Sequence, residues 1–113
     1  MNVYYNPESF GLEKLCELNE HGLSYEYNML VIFKDTNSNR LFYAHDSGCS
    51  CPTPFEDYYF NSADSNNLDE ITINNIDGVE ISITNFPCTI SEKQNAIGIS
   101  RTALLSLLDP DSI

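Results

Sequence analysis

Positive charge is the scarcest commodity in this sequence. Five Lys and Arg face seventeen Asp and Glu in 113 residues, for a formal net charge of -12. Between Leu41 and Glu92 there is no Lys or Arg at all, while Asp46, Glu56, Asp57, Asp64, Asp69, Glu70, Asp77, Glu80 and Glu92 fall in that stretch. A protein that binds duplex nucleic acid must neutralise phosphates with Lys and Arg, so direct nucleic-acid binding is disfavoured, as is an anionic membrane. Such a field instead steers basic surfaces towards the protein. No run approaches the ~18 apolar residues of a membrane span, and the N-terminal MNVYYNPESF has neither the basic nor the apolar region of a signal peptide. The expectation is a protein that stays in the cytosol of whatever cell makes it, with its cysteines reduced.

Glycines are few and isolated, so there is no phosphate-cradling loop. What is present is ordinary for one folded domain: a 42% hydrophobic share, seven Tyr and six Phe. At this length roughly two-thirds of the surface of the unfolded chain is buried on folding, which suffices for one core. A single domain over residues 1–113 is expected.

Tyr25, Tyr27, Met29, Val31 and Phe33 alternate, and Leu30 and Ile32 make the opposite face apolar too. That pattern predicts a central strand covered on both sides. The turn formers Asp35–Asn39 lead into a second strand over residues 40–45, completing a hairpin. Residues 10–19 fit helix and strand alike. Gly48, Pro52 and Pro54 make residues 46–57 a loop, with Phe55, Tyr58, Tyr59 and Phe60 as apolar anchors. Residues 62–69 read as a polar surface loop. Ile71 and Ile73, a turn at Asp77-Gly78, and then Val79, Ile81 and Ile83 predict a second hairpin. Residues 85–98 read as irregular. Ser100 as N-cap, Ile99 and Leu104 as staple, and Leu104, Leu105, Leu107 and Leu108 as a stripe predict a C-terminal helix ending before Pro110. The expected fold is α+β, a mainly antiparallel sheet of about four or five strands with that helix on one face.

Three constellations bear on chemistry. His45, Cys49 and Cys51 offer the imidazole and thiolates that zinc prefers, with Cys16, Cys88 or His21 needed to complete four ligands. Buried small thiols beside a tight loop are the simpler account, and a Cys49–Cys51 disulfide would be strained. A cysteine nucleophile activated by His45 or His21 is opposed by Asp46, Glu56 and Asp57, which would raise a thiol pKa. Asp35, Asn37, Asn39 and Asp46 mimic calcium-loop positions, but Arg40 stands where glycine is required, so a polar hairpin turn is the better reading.

The hairpin LVIFKDTNSNRLFYAHDSG and the loop Ser47-Gly-Cys-Ser-Cys-Pro-Thr-Pro-Phe-Glu-Asp57 resemble a family of small uncharacterised phage-encoded proteins. The resemblance covers about a third of the chain and implies a viral protein made in a bacterial cytoplasm. It transfers no activity. Short phage proteins without catalytic signatures often disable a host factor, and carboxylates on a folded surface can occupy a groove built for phosphates. The expected function is therefore non-enzymatic: an acidic, DNA-mimic-like protein that binds and inhibits a basic host protein, such as a nucleic-acid-binding or defence enzyme. Asp46, Glu56, Asp57, Asp64, Asp69 and Glu70 are the expected contact residues, close in sequence and partly on loops. The alternative is a small zinc module organised by His45, Cys49 and Cys51. A third possibility is a homo-oligomer assembling through exposed Tyr58, Tyr59 and Phe60.

Overall fold

The computed structural model describes residues 2–20, 22–23, 25–49, 54–56, 58, 60, 68–87 and 101–108. Its elements are a one-turn 3₁₀ helix (Pro7–Phe10), strands β1 (Leu12–Asn19), β2 (Glu26–Asp35), β3 (Leu41–Cys49) and β4 (Asp69–Ile71), and helices α1 (Ile76–Asn85) and α2 (Arg101–Leu108). The fold is α+β. The strands form one antiparallel sheet in the order β1-β2-β3-β4.

β2 is the two-sided central strand its pattern predicts. Every residue from Met29 to Phe33 is buried. Met29, Val31 and Phe33 join a cluster with Val3, Leu12, Phe42, Ala44, Phe55, Phe60 and Leu68. Leu30 and Ile32 join another with Leu18, Leu41, Ile71, Ile76, Val79, Phe86 and Leu104. Full burial of such side chains contributes about 1.5–3 kcal/mol each, against about 1 kcal/mol net for a typical hydrogen bond. These apolar layers therefore outweigh any single polar contact in holding the sheet.

The ambiguity over residues 10–19 resolves as a strand, and its cause is a bulge. Lys14 pairs with Phe33 and Cys16 with Ile32, so Leu15 is an extra residue in the ladder. Leu12 and Leu18 consequently reach opposite clusters. An interrupted period of two spaces Leu12, Leu15, Cys16 and Leu18 much as a helix would.

The β2–β3 turn is built by Asp35, which is buried. Its Oδ1 accepts the Asn37 N–H (3.0 Å) and its Oδ2 the Ser38 hydroxyl (2.7 Å), while Asn39 takes a left-handed φ of 62°. Asp46 lies along β3 opposite Met29, six residues from Asp35 in register and so about 20 Å away. The calcium-like residues do not converge.

The expected second hairpin is corrected. Residues 76–85 form α1, in which Ile76 and Val79 are buried, Ile83 is half-buried and Phe86 closes the stripe just beyond the helix. That is an i, i+3, i+7, i+10 spacing, and Ile81, which fitted the alternation, is 60% exposed. Asn75 joins β4 to α1: its Oδ1 accepts the Thr72 N–H and its Nδ2 donates to the Glu70 carbonyl, both at 2.7 Å. The C-terminal helix forms as expected, with Leu104 buried. Its proposed cap and staple at Ser100 and Ile99 lie outside the described residues.

Candidate functional site

The stretch after β3 is anchored by Asp46. Its Oδ2 accepts the Phe55 N–H at 2.8 Å and the Tyr27 hydroxyl at 3.0 Å, and its Oδ1 accepts the Ser47 N–H. Phe55 is fully buried at a left-handed φ of 58°, stacked on Tyr4 (centroids 5.5 Å) and edge-on to Tyr58 (5.0 Å). Tyr58 donates its hydroxyl to the His45 carbonyl and its N–H to the Phe55 carbonyl. Tyr27 lies across from Gly48, where an added Cβ would meet its hydroxyl at 3.2 Å. A hydroxyl tied to Asp46 has little room to give, so the glycine lets this cross-strand pair close.

This arrangement divides the acids expected to meet a partner. Asp46 is half-buried and committed to the Phe55 anchor. Glu70 accepts two bonds from Arg40, at 2.8 and 3.1 Å. Glu56 and Asp69 are exposed. Asp57 and Asp64 lie outside the described residues. Tyr58 stands among these groups: its phenol is pushed above the ordinary range first by burial and then by the charges of Asp46 and Asp69. Phe60 is buried against Phe42 (4.9 Å) and Tyr58 is half-buried, which corrects the expectation that they form an exposed aromatic face. Tyr59 lies outside the described residues.

The Arg40 guanidinium, by hydrogen bond first and charge second, holds the Glu70 carboxyl below the usual carboxylate range. Stability from this pair is present above pH ~4 and is lost as pH falls through the lowered pKa. For a pair this exposed the contribution is about 0.5 kcal/mol. Chemical denaturation of Glu70→Gln should therefore show a shortfall of that size at pH 7 that vanishes near pH 2.

On the sheet face that carries Leu30, a polar chain crosses three segments. Glu20, just past β1, receives the Asn28 Nδ2–H at Oε1 (3.0 Å), and Asn28 Oδ1 lies 2.6 Å from His45 Nε2. The carboxylate fixes the amide, so Asn28 Oδ1 is the acceptor and His45 Nε2–H the donor. The His45 ring also lies edge-on to Phe86 at 6.3 Å. Beside the chain is an open concavity of about 560 Å³. Sequence reading singled out His45 but missed Glu20, Asn28 and Glu26, since residues 8 and 17 apart become neighbours only through register.

His45 and Cys49 share a face of β3 but are four residues apart, about 13 Å along the strand, too far to ligate one ion. Cys49 is exposed and Cys16 half-buried. Cys51, Cys88 and His21 lie outside the described residues. Among the described residues no cluster of His, Cys, Asp and Glu has metal-binding geometry.

Among the described residues, sheet and helices make an α+β fold, with Glu20, Asn28, His45 and Asp46 near one another where β2 begins and β3 ends. The chain belongs to the family described as a domain of unknown function (DUF7574), whose model matches residues 1–98. No curated protein and no solved structure matches it. Helix α2 follows the matched residues. No helix among the described residues is long and apolar enough to cross a membrane.

Proposed function

We propose that this domain is a non-enzymatic phage protein that binds and inhibits a basic host protein in the bacterial cytoplasm, through carboxylates that stand where a nucleic acid would place phosphates. The observation that carries the reading is the charge distribution. The chain from Leu41 to Glu92 contains no Lys or Arg, and Glu56 and Asp69 within it are exposed. Upstream, Lys14 pairs with Glu17 at 3.0 Å and Arg40 with Glu70 at 2.8 Å, so both cations already have acidic neighbours. The resemblance of the Ser47–Asp57 loop to small phage proteins supplies the setting. In this reading α2 covers the sheet face bearing Leu30 and Ile32, in keeping with the cluster that Leu104 shares with them.

The contact acids are Asp46, Glu56, Asp57, Asp64, Asp69 and Glu70, with Glu56 and Asp69 the more exposed of those described. The test is capture of host proteins on the immobilised domain at low salt, followed by affinity measurement with the protein recovered. Glu56→Lys with Asp69→Lys should weaken binding by at least about tenfold, or ~1.4 kcal/mol, while leaving the unfolding midpoint in place. Affinity indifferent both to this reversal and to added salt would remove the electrostatic mechanism.

A further inference from the structure

The two apolar clusters are completed in different ways. Leu30 and Ile32 pack with Ile76 and Val79 of α1 and Leu104 of α2. Met29, Val31 and Phe33 pack instead with Val3, Phe55, Phe60 and Leu68, none of which lies in a helix or strand. Two of the segments that supply these residues hold each other. Residues 2–5 fold on buried Asn2, whose Oδ1 accepts the N–H groups of Tyr4 (3.0 Å) and Tyr5 (2.9 Å). The Val3 N–H donates to the Tyr58 carbonyl (3.2 Å), and the Tyr4 ring stacks on Phe55. The Lys14 ammonium sits 4.3 Å from the centroid of the same ring, which ties the pair to β1. Residues 2–10 are fixed at their other end by Gly11, at φ 74°, whose carbonyl accepts both the N–H and the hydroxyl of Thr36.

We propose that residues 2–10 and the stretch around Phe55 and Tyr58 form a two-part cover over Met29, Val31 and Phe33 that opens as one unit, with Tyr4 as its clasp, while the sheet and the other cluster stay folded. Irregular segments held by few backbone hydrogen bonds open at a lower free energy than paired strands. Phe55 also sheds a φ of 58°, strained for any residue but glycine, when it leaves its site. Neither part can leave alone without giving up the Val3–Tyr58 bond and the Tyr4–Phe55 stack, so the two are coupled. Glu56 rides on the second part, and opening withdraws it from the surface that it shares with Asp69. That consequence rests on the reading of these acids as contacts; the cover itself does not.

The test is native-state amide hydrogen exchange of the intact domain in rising, sub-denaturing urea. The N–H groups of Val3, Phe55 and Tyr58 should converge on one opening, with a shared urea slope below that of the β2 amides and exchange at least about tenfold faster. Tyr4→Ala should speed exchange at Phe55 and Tyr58 by at least about tenfold, as much as at Val3, whereas Tyr4→Phe, which keeps the ring, should change it by less than about threefold. Val79→Ala, in the other cluster, should speed the β2 amides and leave Val3, Phe55 and Tyr58 at their wild-type rates. Should Tyr4→Ala fail to fold, the urea series on the wild-type domain still decides the matter. Val3 and Phe55 exchanging along separate lines, or both along the line of the β2 amides, would overturn the cover. Acceleration at Val3 alone in Tyr4→Ala would overturn the clasp. Separate lines in a domain that captures a host protein through Glu56 and Asp69 remove the cover alone. One shared line in a domain that captures none removes the inhibitor reading alone.

Discussion

Replacing Phe55 with alanine is expected to lower the unfolding free energy by about 3–5 kcal/mol, the range for emptying a buried aromatic site. The ring is fully buried between Tyr4 and Tyr58, in the cluster that also holds Met29, Val31, Phe33 and Phe42. Its loss removes both contact and volume from one layer of the core. The backbone adds a second, separable effect. Phe55 has φ 58°, where a side chain costs about 1–2 kcal/mol and glycine almost nothing. Phe55→Gly should therefore be more stable than Phe55→Ala by about 1 kcal/mol, the reverse of the order in helices and strands. Urea denaturation of the two variants measures both quantities. A loss below 1 kcal/mol in each would mean that Phe55 does not anchor the residues after β3.

Asp46→Ala is expected to cost about 2–3 kcal/mol, because it strips a charged acceptor from the Phe55 N–H and the Tyr27 hydroxyl together. The Tyr27 half can be read spectroscopically. Burial first, then the hydrogen bond to Asp46, pushes the Tyr27 phenol up to about 12 from the ordinary value near 10. A folded-state pKa raised in this way contributes stability that is complete below pH ~10 and is lost as pH climbs through about 12. The absorbance change of tyrosinate should accordingly show a late-titrating group in the wild-type protein that moves towards pH 10 in a folded Asp46→Asn variant. A double-mutant cycle with Tyr27→Phe should give a coupling of about 1 kcal/mol. Independent, additive losses would show that Asp46 serves the Phe55 N–H only.

The hairpin was legible from sequence because its signals agree at every level. Met29–Phe33 is apolar on both faces, and Asp35–Asn39 has the residues whose side chains make the turn. Two segments misled for opposite reasons. The Leu15 bulge broke a strand's period and left it looking half helical. Val79, Ile81 and Ile83 carry the β-branched alternation of a strand, yet the residues turned to the core are Ile76, Val79 and Phe86, with Ile83 half-buried beside them. The acids were legible as a group but not individually. Nothing in composition separates Asp46 and Glu70, which bond within the domain, from the exposed Glu56 and Asp69. The Glu20–Asn28–His45 chain is a product of register, and a linear string does not display it.

The sheet order β1-β2-β3-β4 repeats the order of the chain, so each strand meets a neighbour that was synthesised just before it. Closing the β2–β3 turn costs little chain entropy, and the hairpin holds residues of both apolar layers. It can therefore act as a template on which β1 and β4 add at either side, a route that favours rapid folding. The hairpin thus forms early, and the two apolar layers close only when Val3 meets Phe55 and Leu18 meets Leu104.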